Sequence, residues 1–463
     1  MGLKEIFKFI PEVTRPEEKK LSFNVKLKWT LIVLAAFFIL ANIPLFGLSV
    51  NALSRFEYLA IIMGTDFGSI ISLGIGPIVM ASIILQLLTG AEIIQIDTST
   101  VEGKKFFQGL QKLLVIFFIV FEAVVYVLMN GLQAAPGFTG IVILQLILGG
   151  LAIYFMNELC EKWGFGSGVS LFIAAGVSWR LFTSAFQFID TQGANCLTDF
   201  SNTACSGKIL VLIQSIMNQY PIEFLSAFAA LLSTALIFLL VVWAQSLKVE
   251  IPLSYGRVRG YGVKWPLSFF YASVIPVILA AALTANLQLF GGLFENWLGH
   301  ATWLGHFSNG QAVSGLSFWL GSTNILELGI RGGLLPRYIL QAFTHILSFT
   351  FLCMIFSVFW VKSSGMDSKS QAKKIASSGL QVAGFRQDIR ILESILDRYV
   401  MPLTIMGGAA IGLLASVTNL LGALVSGTAI LLVIMIMFQF YQNIAQQHMT
   451  DMNPAMRKFM GSA

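Results

Sequence analysis

The stretch SIISLGIGPIVMASIILQLL, residues 69–88, decides how the rest of the chain is read. It is apolar enough to enter a membrane, yet Gly74, Ile75, Gly76 and Pro77 fall where a continuous helix would avoid such residues. Glycine frees the backbone, and an interior proline removes a donor and clashes with the preceding turn. Backbone groups released at membrane depth must be satisfied in protein or at a water-filled cavity. The stretch therefore predicts a helix that begins partway across the bilayer, beside a pathway.

Composition agrees. The 463 residues are 56% hydrophobic and 11% charged, with a mean hydropathy of +0.79. A soluble chain of this length needs far more charge to cover its surface, so this is a polytopic membrane protein. Ten apolar runs are candidate spans: 29–48, 74–89, 110–129, 140–156, 168–186, 224–244, 267–290, 338–361, 402–423 and 428–446. With a cytosolic N-terminus, every one of the 29 basic residues except Arg55, Arg180, Lys208, Arg331 and Arg337 falls in a cytosolic segment. That bias supports ten spans with both ends inside. The first run is too long for a cleavable signal and is expected to stay as a span.

The spans divide the chain into a cytosolic segment (1–28), a first half (29–186), an external loop (187–221), a second half (222–446) and a cytosolic tail (447–463). Five spans per half run in opposite directions, the arithmetic of an inverted repeat with a pathway between halves. Leu3, Ile6, Phe7 and Ile10 predict a short helix on the membrane surface. Leu53, Phe56, Ala60 and Met63 recur at helical spacing between the first two spans. That helix either lies on the outer face or folds into the mouth of the pathway. Cys196 and Cys205 share one polar loop and pair if it faces an oxidising side. Cys160 and Cys353 read as small buried hydrophobes.

Ionisable groups within spans are few, chiefly Glu122 and His345. An intramembrane acid marks a functional site or meets water or a neighbouring helix. No phosphate loop or HExxH is present. The glycine-rich run 164–168 reads as a tight cytosolic turn, and His300 and His306 lack companion ligands, so no metal or cofactor is expected. A secondary transporter with a broken second helix is the alternative reading, but the acidic cluster such coupling needs is missing. An intramembrane enzyme lacks a catalytic pair. Two long basic loops, within 247–266 and 362–400, exceed minimal connectors. Their Arg257, Arg259 and Arg386 suit phosphates of a nucleic-acid-containing partner or acids of a protein.

The opening stretch closely resembles the first signature of the SecY/Sec-translocon α-subunit family. So do GFGSGVSLFIAAG (164–176), EIPLSYGRVRG (250–260), SVIPVILAAALTANLQL (273–289), GFRQDIRILESILDRYVMPLT (384–404) and GTAILL (427–432), in the same order. The middle and C-terminal motifs look archaeal. The resemblance implies an all-α clamshell of two inverted five-helix halves around an hourglass pore. It implies a protein-conducting channel, not an enzyme, that moves unfolded polypeptide across the membrane or sideways into lipid. By local motif matching, Ile75, Val79, Val169, Ile173, Ile275 and Leu432 would ring the waist. The segment 51–65, with Asn51, Leu53, Phe56, Leu59, Ala60 and Met63, would be a plug. Met80, Gln86, Glu122 and Val274 would lie at a lateral gate between spans two and three on one side and seven and eight on the other. Met80 and Val274 depart from the polar residues of archaeal and eukaryotic relatives and make that seam more apolar. Arg257, Arg259 and Arg386 would dock a ribosome or another cytosolic motor. SecE-like and β/SecG-like small subunits, a signal-recognition receptor and a place in the cell membrane (the endoplasmic reticulum if eukaryotic) are also implied.

Overall fold

The computed structural model describes residues 10–18, 21–53, 60, 64–90, 93–94, 96, 100–189, 195–196, 205–255, 262–272, 274–308, 311–377, 380–382 and 389–452. The first half supplies α1 (Phe23–Ala41), α2 (Gly76–Gly90), α3 (Val101–Leu128), α4 (Thr139–Trp163) and α5 (Gly168–Phe186). The short α6 (Lys208–Met217) leads into α7 (Pro221–Gln245) and α8 (Ile275–Leu298). Two small helices, α9 (Leu316–Leu320) and α10 (Ile325–Ile330), precede α11 (Pro336–Ser363). The chain then forms α12 (Ser368–Ser377), α13 (Ile389–Leu420) and α14 (Gly427–Met452). Among the described residues nine helices are long and apolar enough to cross a membrane, and α2 is a shorter tenth. Its 15 residues reach only about 22 Å, short of a hydrocarbon core of roughly 30 Å.

Span boundaries differ from the sequence reading at prolines. α1 stops at Ala41 rather than running to residue 48, with the Asn42 side chain donating to the Phe38 carbonyl. Pro44 follows and bridges to Ser69. The predicted span 267–290 starts instead at Ile275, because Pro276 fits the first turn, where no donor is needed. The predicted span 402–423 starts earlier, at Ile389, with Pro402 inside the helix. Leu392, Leu396, Val400 and Leu403 form a buried stripe through that proline. They pack with Ala372 and Ile375 of α12 and with Leu267 and Tyr271.

The strands are small. β1 (Leu48–Asn51) pairs antiparallel with β2 (Leu132–Ala134). β3 (Lys248–Tyr255) and β4 (Gly262–Ser268) form a hairpin within the first basic loop. β5 (His306–Ser308) and β6 (Gln311–Ser314) form another, held to α8 where Glu295 meets His306 at 2.6 Å and the Phe307 N–H at 2.8 Å. β7 (Leu380–Val382), from the second basic loop, adds to β3, giving the order β4-β3-β7. Cys196 and Cys205 form a disulfide with a Cα–Cα distance of 5.4 Å.

The halves meet along two seams. α2 lies against α8 and α11 on one side, and α14 lies against α5 and α1 on the other. A single apolar core runs through both. α11 and α13 approach closely because Gly408 and Gly412 face Ser357 and Cys353; a Cβ on Gly408 would sit 2.8 Å from that of Ser357.

Candidate functional site: an apolar ring and a lateral seam

Residues 69–75 are a succession of turns. The N–H groups of Ser72, Gly74 and Gly76 each donate to the carbonyl three residues back. Gly74 takes a φ of +54°, which side-chain-bearing residues rarely tolerate. The run is fixed from two directions. Leu45 N–H donates to the Gly68 carbonyl and Ile70 N–H to the Ile43 carbonyl. From α4, Gly149 approaches so near that a Cβ there would lie 2.8 Å from the Ile70 carbonyl carbon. The chain is thereby turned so that α2 begins inside the bundle.

Ile75, Val79, Ile173 and Leu432 are buried in one apolar cluster, against which the half-buried Val169 and Ile275 pack. A cavity of about 430 Å³ reaches the cluster from the face that carries the basic loops. Val79, Val169 and Ile275 line it, with Ser82, Gln86 and Lys104 farther along, whereas Ile75, Ile173 and Leu432 do not. Three of the six expected ring residues therefore face this cavity and three do not. On their other side stands Gly64, where a Cβ would be 3.7 Å from Ile75 Cγ2 and 3.6 Å from Phe172 Cβ. Thr65 Oγ1 donates to the Ile71 carbonyl at 2.6 Å and Thr65 N–H to the Ala60 carbonyl. Leu53 and Ala60 are fully buried in the same cluster, and the Asn51 amide donates to the Phe67 carbonyl. Phe56, Leu59 and Met63 lie outside the described residues.

Along the seam, α2 meets α11 closely at one end: a Cβ on Gly90 would be 2.7 Å from Phe359 Cγ. Met80 packs against the core and Gln86 is buried at the cavity wall. Val274 is buried at the cap of α8, where its carbonyl accepts from the N–H groups of Val277 and Ile278. Glu122 on α3 neither faces water nor bonds a neighbour; both carboxyl oxygens are buried without a partner, as is the Tyr126 hydroxyl one turn on. α3 packs chiefly behind α2, against α4.

A family model described as SecY matches residues 69–441. The chain belongs to the SecY family. The protein translocase subunit SecY of Methanothermobacter thermautotrophicus is 42% identical over 464 residues, covering 98% of each chain. That of Methanocaldococcus jannaschii is 38% identical over 457 residues, again covering 98% of each. The solved structure of a protein conducting channel superposes with a TM-score of 0.82 at 35% identity, covering 97% of this chain and 98% of the other. Sec61 in the canine ribosome-channel complex from the endoplasmic reticulum does so with a TM-score of 0.78 at 35% identity and the same coverage.

Of the SecY-type docking residues expected from the sequence, Arg257, Arg259 and Arg386 lie outside the described residues, although the strands leading to them, β3 and β7, share a sheet. The amphipathic residues before Ile10 also lie outside them. Sequence reasoning missed a strap formed by residues 12–14. Glu12 bridges Lys112 of α3 at 3.1 Å and Lys162 of α4 at 2.6 Å. Val13 N–H donates to Glu158, Lys162 donates to the Val13 carbonyl, and the Trp163 indole donates to the Thr14 carbonyl. The Lys162 hydrogen bond, aided by Lys112, holds the Glu12 carboxyl below its ordinary pKa despite partial burial. The one sequence signal was Glu158 and Lys162 at helical i,i+4 spacing; nothing local pointed to Glu12.

Proposed function

We infer that the chain is the central subunit of a channel that passes unfolded polypeptide across a membrane and releases hydrophobic segments sideways into lipid. The observation that supports this reading is a cavity lined by Val79, Val169 and Ile275 beside the apolar core that buries Ile75, Ile173 and Leu432; in this reading the six aliphatic side chains form the ring at the waist. Aliphatic tips exclude water by dewetting and give a moving chain no fixed partner to bind. The relatives named as translocase subunits and the protein conducting channel with the same fold support the assignment.

In this reading the segment 51–65 is the plug. The burial of Leu53 and Ala60 in the apolar core that also holds Ile75 supports that role. The lateral exit is the seam of α2 against α8 and α11, with Met80, Gln86 and Val274 along it and Glu122 behind. The face carrying β3, β4 and β7 is cytosolic, with both chain ends on that side, and Arg257, Arg259 and Arg386 dock a ribosome, as Sec61 does in the canine complex. SecE-like and β/SecG-like subunits and a signal-recognition receptor complete the machinery in the cell membrane. The channel carries out no chemistry of its own, and translation or a motor supplies the driving force.

The test is photocrosslinking of a stalled nascent chain to probes at Ile75, Val79, Ile275 and Leu432. Crosslinks at all four, absent from lipid-facing Leu347, are expected. No crosslinks, together with saturable gradient-driven uptake of a small solute by liposomes, would instead establish a transporter.

A further inference from the structure

α8 separates two cavities. Ile275, Ile278 and Leu279 line the funnel cavity of about 430 Å³, whereas Ala281, Thr284, Ala285 and Gln288 line a second one of about 150 Å³. Each set recurs at three- and four-residue spacing, so each occupies its own face of the helix. Among the described residues none lines both cavities.

The second cavity opens away from the basic loops. α11 runs from Pro336 to Ser363, which lines the funnel, whereas Gln341, His345 and Phe349 of its first half line the second cavity. The exposed Gln311 and Ser322 and the half-buried Thr323 stand at its mouth. Phe349 lies about 20 Å along α11 from Pro336.

The wall is polar. Eleven of its seventeen described residues carry a hydroxyl, amide or imidazole, and none is an acid, lysine or arginine. Several of these groups are paired within the protein. Thr323 donates to Gln341, Gln341 to the Phe318 carbonyl and Thr284 to the Ala280 carbonyl, while Asn419 accepts from the Thr428 N–H. Ser317 Oγ and His345 Nε2 are buried and find no partner among the described residues. His345 Nδ1 lies 2.7 Å from the Leu320 carbonyl, so Nδ1 bears the hydrogen and Nε2 can only accept. The Ser317 hydroxyl can donate and accept. The occupant that suits this wall both donates and accepts.

We propose that this cavity is an aqueous crevice, filled by a cluster of waters that enters from the face opposite the basic loops and reaches His345 and Phe349 inside the bundle. Apolar cavities stay dry, whereas polar ones that offer a water two to four partners hold it, and this volume takes about five at liquid density. An apolar occupant would leave both unpaired groups unsatisfied, and a bare cation would meet no carboxylate to offset its desolvation. Water then joins Thr284 of α8 to His345 of α11 and Thr428 of α14. The helix that carries Ile275 is thereby fastened to its own half partly through molecules that can be displaced. This holds whatever the funnel conducts.

Radiolytic footprinting tests the crevice on the full chain with its membrane partner subunits in nanodiscs, because radicals formed from water oxidise the side chains that water touches. Phe349 and Phe356 lie two turns apart on α11, at 2% and 1% exposure, and only Phe349 lines the crevice. Phe349 should be oxidised roughly tenfold faster than Phe356 if water stands beside it. Ala285→Leu fills the crevice from α8 and should slow Phe349 oxidation severalfold with little change in unfolding temperature. Ala282→Leu, on the same helix but outside both cavities and fully packed, should lower that temperature. A high-resolution map should show ordered density within hydrogen-bond distance of Nε2 and Ser317 Oγ. Oxidation of Phe349 no faster than that of Phe356, oxidation unaffected by Ala285→Leu, or an Ala285→Leu chain as destabilised as Ala282→Leu would each overturn the proposal.

Discussion

Replacing Gly149 by alanine puts a methyl group against the backbone of the turn that leads to Ile75, a residue of the proposed ring. The new Cβ would lie 2.8 Å from the Ile70 carbonyl carbon, and closer still to its oxygen. Restoring an ordinary contact of 3.4 Å requires a displacement of at least about 0.6 Å at that carbon, and the backbone has no rotamer by which to yield. Overpacking of this kind costs about 1–3 kcal/mol, and close-packed interiors pass the strain on rather than absorb it. The nearest recipient is Ile75, five residues along the same succession of turns. Gly140→Ala is the control: it lies on the same helix, but a Cβ there meets nothing within 4 Å. It should gain up to about 1 kcal/mol in helix propensity. The assay is ion leakage through purified channel in liposomes, with thermal unfolding measured in parallel. Gly149→Ala should leak and unfold earlier, while Gly140→Ala should stay sealed. A Gly149→Ala channel as tight and as stable as wild type would refute the claim that this contact sets the ring.

Glu12→Gln should loosen the strap by about 0.5–1 kcal/mol, a small value because its side chain is 46% exposed; protease access to residues 10–18 reports it. Because the Glu12 pKa is lowered from 4.5, the strap keeps this contribution above pH 4.5 and loses it as pH falls through the lowered value. Protection of residues 10–18 that is the same in Glu12→Gln as in wild type at neutral pH sinks the assignment. Met80→Thr with Val274→Asn should alter membrane insertion of marginally hydrophobic segments, since both remove apolar contact from the closed seam and Asn places a polar amide at the buried start of α8. Identical insertion thresholds would remove these residues from the gate. Charge reversal at Arg257, Arg259 and Arg386 should weaken ribosome binding severalfold without changing membrane insertion of the channel. Undiminished binding would leave them a topological role only.

The spans were legible because about twenty apolar residues in a row have few other fates, and α2 was legible because Gly74, Gly76 and Pro77 act locally. Helix ends were less so. Pro402 looked like a start, but the stripe Leu392, Leu396, Val400 and Leu403 gains enough by burial against α12 to carry the helix through it. The β3–β7 pairing joins segments more than a hundred residues apart, and nothing within either segment specifies the other. Glu12 likewise finds Lys112 and Lys162 only once the bundle exists. The ring residues came from motif resemblance rather than composition, because an isolated isoleucine in a membrane helix has many reasons to be there. That Glu122 is buried without a partner was equally out of reach, since burial depends on how α2, α3 and α4 stack.

The three-stranded sheet of β4, β3 and β7 has a mechanical consequence. β4 ends at Ser268, and the run 269–274 leads directly into Ile275. At the start of this linkage the Phe269 carbonyl rests on Gly407 of α13, where a Cβ would come within 2.6 Å of it. The sheet is then the long arm of a lever, α13 the fulcrum, and the first turn of α8 the short arm. In the proposed channel a load that tilted the sheet would be felt at Ile275, so a force applied outside the bilayer would reach the waist without anything entering it.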